Sequence, residues 1–241
     1  QWLIVRGLLD PNEPIGLRGS VWSRRFPSDL VEEANRLVAL SEEELPGDEQ
    51  RIDLTHLATY SLDDAGTREI DDALSLERRD GINWIWIHIA DPSRLIDIDS
   101  ALDQEARRRA TSLYLAEGVM PMLPLELAAG PLSLRAGQRC AALSVAVHLD
   151  ADGAVVEQRI ARSWIRPRYG LTYGDGDELI ELAPPGDEAL SDLSGLLMQR
   201  MRWRRSKGAV MFDRPEGRFR RSDGSLTCLL YTSPSPRDTA L

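Results

Sequence analysis

Hydrophobic and polar positions follow two different periods along the chain. Leu74 and Leu76 approach Asp80-Gly81, a dipeptide suited to the positive φ angles of a tight hairpin turn, and Ile82 to Ala90 continues as a strand rich in Trp and Ile. The same pattern predicts a second hairpin, with Ala141 to Leu149, the turn Asp152-Gly153, then Val155 to Ile165. Helical spacing appears in three places. Leu30, Ala34, Leu37 and Val38 form an apolar stripe, with Asp29 placed as the cap and Glu32 three residues later. Asp99-Ser100-Ala101-Leu102-Asp103 carries capping-box chemistry and opens a helix through Arg109. The third helix covers about Glu188 to Lys207: Leu190, Leu193, Leu197 and Met201 face inward, cations crowd its end, and Gly208 is placed to cap it. Strands and helices interleave without a strict repeat, so the expected class is mixed α/β.

Gln1 to Arg25 has no long period and reads as the remnant of an upstream segment. Glu42 to Asp48 is acidic and broken by Pro46 and Gly47, which marks a linker and a boundary near Gln50. The expected organisation is therefore an N-terminal segment and linker helix over 1–50, then a folded domain from 51. Composition adds that the chain is globular: of 241 residues, 42% are hydrophobic and 28% charged, with a net charge of -10. No apolar run approaches the roughly 20 residues a bilayer requires, and the opening lacks a signal-peptide layout. Cys140 and Cys228 cannot make a disulfide framework and lack zinc-ligand spacing, so a reduced, cytoplasmic setting is expected. The acidic balance argues weakly against an unselective polyanion binder, although carboxylates gathered around metal ions would give the same total.

Candidate chemistry concentrates in one segment. Asp63, Asp64, Glu69, Asp71 and Asp72 fall within ten residues, between an apolar approach and an apolar hairpin. Such charges are costly near a core unless cations compensate them. Hard divalent ions prefer oxygen ligands, and a pair of them about 3.5–4 Å apart can activate water in phosphodiester hydrolysis. In an extended chain Glu69 and Asp71 share a face while Asp72 points away, and a turn at Gly66 could return Asp63 to the same ions. A solvated acidic loop is the alternative. An EF-hand is excluded, because counting from Asp63 puts Ala65 and Leu74 at ligand positions.

The segment resembles the metal-binding motif of the ribonuclease II (RNB) family of exoribonucleases. The similarity continues through His88-Ile89-Ala90-Asp91-Pro92, Thr111-Ser112-Leu113-Tyr114-Leu115, Met120-Pro121-Met122-Leu123-Pro124, Leu132-Ser133-Leu134, Leu171-Thr172-Tyr173 and Val210-Met211-Phe212-Asp213-Arg214-Pro215. The resemblance implies a mixed-sheet RNB-type catalytic domain, incomplete at its C-terminus, spanning 51–227. It implies a hydrolytic 3′ to 5′ exoribonuclease that releases 5′-mononucleotides from single-stranded RNA. Asp63, Glu69, Asp71 and Asp72 would hold Mg²⁺, with Mn²⁺ as a substitute. Glu69 stands where well-known members carry Asp, and its extra methylene lengthens the reach of that ligand.

Tyr114 matches the tyrosine that packs on the 3′-terminal nucleotide in the family, Phe212 a phenylalanine that stacks on bases, and Tyr173 a third aromatic of the RNA path. Taken alone, each ring reads as a core residue. Two basic clusters, Arg200 to Lys207 and Arg218 to Arg221, can meet phosphates, yet cations at a helix C-terminus need no ligand to be favourable. His56, His88 and His148 are scattered and read as structural. No Walker loop, Gly-x-Gly-x-x-Gly or Gly-x-Ser-x-Gly is present, so no nucleotide cofactor is expected. A monomer without membrane contact is expected. The competing function is a non-catalytic RNA-binding module on the same fold. Residues 228–241 look like the in-frame translation of a sequencing adapter and are set aside from fold reasoning.

Overall fold

The computed structural model describes residues 2–7, 25–115 and 118–210, and the backbone of 216–222 and 225–231. Its strands are β1 (Ile52–Asp53), β2 (Thr59–Asp63), β3 (Asp72–Arg79), β4 (Ile82–Ala90), β5 (Leu113–Leu115), β6 (Gly118–Met120), β7 (Cys140–Leu149), β8 (Val155–Ile165), β9 (Pro167–Thr172), β10 (Glu216–Ser222) and β11 (Ser225–Tyr231). The helices are α1 (Trp2–Val5), α2 (Ser28–Leu40), α3 (Ala101–Arg109), α4 (Leu125–Ala128), α5 (Tyr173–Leu182) and α6 (Glu188–Ser206). No helix among the described residues is long and apolar enough to cross a membrane.

Seven strands form one mixed sheet in the order β1-β8-β7-β4-β3-β2-β9. The β1–β8 and β2–β9 pairs are parallel and the rest antiparallel. Both expected hairpins form. Asp80 and Gly81 take φ of 53° and 77°, matching the twist of β3 and β4, and Gly153 at 95° closes β7 onto β8.

Alternation along the strands supplies two apolar faces. On one, Tyr60, Leu76, Ile85 and Leu171 pack against Leu190 and Leu193 of α6. On the other, Trp84, Trp86, Ala142, Ala146 and Ile165 enclose Leu54 and Leu134. A third cluster joins Leu30, Ala34 and Leu37 of α2 to Leu102 of α3 and Leu127 of α4. Burying each such leucine contributes about 2 kcal/mol.

Three local features differ from the pattern-based expectation. Helix α2 begins at Ser28 behind Pro27, whose fixed φ starts the turn, so Asp29 lies in the first turn and favours the helix dipole instead of capping. The acidic run that reads as a linker is pinned to the body: Arg94 reaches the carbonyls of Ser41 and Glu43, and Asp48 pairs with both Arg51 and Arg94. Helix α5 has no counterpart in the hydrophobic periodicity. Thr172 and Asp175 build a reciprocal capping box, and Gly176 lets the helix approach β2, since a Cβ there would lie 2.6 Å from Leu62 Cδ2. The expected starts of α3, capped by the Ser100 hydroxyl, and of α6 at Glu188 both hold.

Candidate active site

The carboxylate segment connects β2 to β3 across the top of the sheet. Asp63 is the last residue of β2, buried, with its backbone in register with Thr172 of β9. Asp72 opens β3 opposite Ile89 of β4. Between them the backbone turns where Thr67 N–H donates to the Asp64 carbonyl.

The rest of this loop is held from three sides. Ser133 Oγ accepts the Ile70 N–H at 3.0 Å and donates to the Arg68 carbonyl, while Leu134 N–H donates to the Ile70 carbonyl at 2.8 Å. Ala90 N–H donates to the Asp71 carbonyl at 2.8 Å. Through these bonds the Leu132-Ser133-Leu134 and His88-to-Pro92 segments set the height and direction of the acidic loop. Asp91 adds to this support by capping a short turn through Ser93 and pairing with Arg51 at 2.7 Å.

A cavity of about 430 Å³ opens beside the loop, lined by Glu69, Asp71, Ile89, Ser112, Tyr114 and Met122 among others. Its size is that of a small-ligand pocket. Glu69 is half-buried there. Burial, with the Asp71 charge beside it, pushes the Glu69 carboxyl above the usual carboxylate range, and the Ser112 side chain and Arg68 pull it back. Two like charges held together in one cavity, offering oxygens only, suit a hard divalent cation. Among the described residues no three Asp, Glu, His or Cys side chains are gathered closely enough to hold an ion. The structure thus brings Glu69 and Asp71 into one cavity. Asp63 and Asp72 stand at the strand ends on either side of the acidic loop and do not line the cavity.

Tyr114 is 69% exposed on the β5–β6 hairpin, with Val119 as its cross-strand partner. An exposed ring on a cavity wall is not a core residue, so the interior reading does not apply to it. Tyr173 is half-buried in the first turn of α5, one residue beyond the Thr172 that faces Asp63. Phe212 lies outside the described residues. Of the basic residues at the end of α6, Arg200 donates to the Gly153 carbonyl and, with Lys207, covers the Trp203 ring. His88 is fully buried between Ser75 and Ser144. Sequence reasoning does not single out Ser112 or Ser133 as parts of this site. They lie inside segments notable for other residues, and nothing in their local spacing marks them.

The model of the RNB domain matches residues 51–236. An uncharacterized ribonuclease of Synechocystis is 45% identical over 215 residues, covering 89% of this chain and 32% of that protein. The chloroplastic/mitochondrial ribonuclease II of Arabidopsis thaliana is 46% identical over 162 residues, covering 67% of this chain and 20% of that protein. The chain therefore spans about a third or less of these relatives. Among solved structures, Mycoplasma genitalium RNase R in complex with ribose-methylated single-stranded RNA superposes with a TM-score of 0.73 at 19% identity, covering 86% of this chain and 34% of that one. That likeness concerns the fold.

Proposed function

The chain belongs to the RNB domain family, and from that premise we propose that it is part of a 3′ to 5′ exoribonuclease that hydrolyses single-stranded RNA to 5′-mononucleotides. The reading takes Asp63, Glu69, Asp71 and Asp72 as the metal-holding carboxylates, Mg²⁺ as the ion, and Tyr114, Tyr173 and Phe212 as RNA contacts. It takes the enzyme to be a cytoplasmic monomer. The observation that carries it is the single cavity in which an exposed aromatic face stands with two like-charged carboxylates.

The reading gives the side chains that line the cavity the following roles. Tyr114 offers a face on which a terminal base stacks whatever its sequence, because every base has a π-face. Ser112 and Thr111 place hydroxyls on the same wall, within the class of groups that can meet a ribose hydroxyl. Glu69 and Asp71 supply the negative charge that would hold the ion, and the ion when bound would supply Lewis acidity and an activated water. The loop's backbone ties to Ser133, Leu134 and Ala90 keep these carboxylates from drifting between turnovers.

The test is degradation of 5′-labelled single-stranded RNA by protein carrying this chain at the length of its relatives, with and without Mg²⁺. Stepwise shortening from the 3′ end is expected. Asp71→Asn should lower the cleavage rate by more than about 100-fold, since charge stabilisation by a metal is worth several kcal/mol, while RNA affinity changes little. A stable complex with no shortening would instead favour a non-catalytic RNA-binding module.

A further inference from the structure

Among the described residues Arg109 is the largest fully buried side chain, 1% exposed, at the C-terminal end of α3. Its guanidinium meets three separate pieces of chain. Nε donates to Glu105 of its own helix at 2.7 Å, Nη1 to the Pro121 carbonyl at 3.0 Å, and Nη2 to the Arg25 carbonyl at 3.3 Å. The centre of the Phe26 ring lies 3.8 Å from its central carbon. A single acceptor would satisfy a charge. A planar fork spread over two carbonyls and a carboxylate is a geometric device, which Lys cannot reproduce.

What the fork holds is the base of the β5–β6 hairpin. Arg109 leads into the hairpin through Ala110, Thr111 and Ser112, and Pro121 leads out of it. The hairpin has only three residue pairs and forms a sheet of its own, a size that is marginal in water without further ties. One such tie is the Met122 N–H donating to Ser112 Oγ at 3.0 Å; Arg109 to Pro121 is another. Residues on both sides of the hairpin, Ala110, Thr111, Ser112 and Met122, also wall the cavity that holds Glu69 and Asp71.

We infer that Arg109 is a positioning residue for RNA recognition: by clamping the Pro121 carbonyl it holds the Tyr114 ring in place over the carboxylate cavity. The inference rests on the stacking role proposed for Tyr114. It differs from a bland structural role in one respect, because Arg109 would then act on RNA only through Tyr114.

A double-mutant cycle tests this with an oligoribonucleotide carrying 2-aminopurine at its 3′ end, in EDTA so that no cleavage occurs. The full chain and its Tyr114→Ala, Arg109→Met and doubly substituted forms are compared for affinity and for quenching of the terminal fluorophore, with cooperative unfolding checked in each. Each single change is expected to weaken binding about tenfold and abolish most of the quenching. The double form should be no worse than either single form. If Arg109→Met does not fold, Arg109→Lys, which keeps the Glu105 ion pair but not the fork, carries the cycle. Additive losses, or full quenching without Arg109, would overturn the inference alone. Unchanged binding by Tyr114→Ala would overturn the stacking role itself and the inference with it.

Discussion

Acidification below about pH 6.5 should destabilise this protein through His88. The imidazole is fully buried between strands, with Nε2 2.8 Å from Ser75 Oγ and Nδ1 2.7 Å from Ser144 Oγ. The chain of bonds continues from Ser144 Oγ to Ser163 Oγ at 2.6 Å and ends on the Ala142 carbonyl. A carbonyl only accepts, so Ser163 donates to it, Ser144 donates to Ser163, and Nδ1–H donates to Ser144. Nε2 is then left to accept from Ser75. Protonating it would reverse that bond and place a full charge between two neutral hydroxyls. Burial accordingly holds the His88 pKa down at about 4, against 6.5 for an unperturbed histidine. The unfolded chain therefore takes up the proton first as pH falls, and stability declines from about pH 6.5 toward pH 4. At ~1.4 kcal/mol per unit, the loss is about 2 kcal/mol at pH 5 and approaches about 3 kcal/mol at pH 4. Glu69, whose carboxyl is raised, contributes with the opposite sign in this window, so the comparison must be with a variant lacking only the imidazole. Urea unfolding from pH 7.5 to 4.5 of the native chain and of His88→Gln is the assay. His88→Gln should be less stable at pH 7.5 but flatter by about 2 kcal/mol between pH 7.5 and 5. Equal slopes would refute the buried neutral imidazole.

Two further outcomes follow from packing. Asp48→Asn should cost about 3 kcal/mol in denaturant unfolding, because Arg94, with a side chain only 8% exposed, loses the carboxylate it pairs with, whereas Arg51, 3% exposed, keeps Asp91. Burial opposes the Asp48 charge, yet hydrogen bonds from Arg94, Leu45 and Arg51 bring its pKa down to about 2, so this stability is present above pH 3.8 and lost as pH falls toward 2. Gly153→Ala should cost about 2 kcal/mol or more, seen as a lower melting temperature. Its φ is +95° and a Cβ would lie 2.6 Å from the Gln199 carbonyl oxygen of α6; a change within about 0.5 kcal/mol would show that the turn relaxes freely.

Much of the secondary structure is legible because its signals are local. Asp80-Gly81 and Asp152-Gly153 specify turns through backbone preference, and Ser100 with Asp103 caps α3 through bonds spanning three residues. Helix α5 is hidden because Gly174 and Gly176 weaken its periodicity, and the reason for Gly176 is a neighbour, Leu62, more than a hundred positions away. The candidate site divides in the same way. Its acidic residues and Tyr114 are readable from the chain, since their density and resemblance are properties of the sequence. That Glu69 and Asp71 share a cavity with Tyr114, that Ser133 straps the acidic loop, and that Arg109 clamps the hairpin are not. Nor are the chain of hydroxyls through His88, which crosses four strands, and the bridge from Asp48 to Arg94, 46 residues apart. Capping and turn energies act over a few neighbouring residues, so the sequence determines them alone. Which distant side chains converge depends on strand order, and strand order is decided only when the whole sheet buries its two apolar faces.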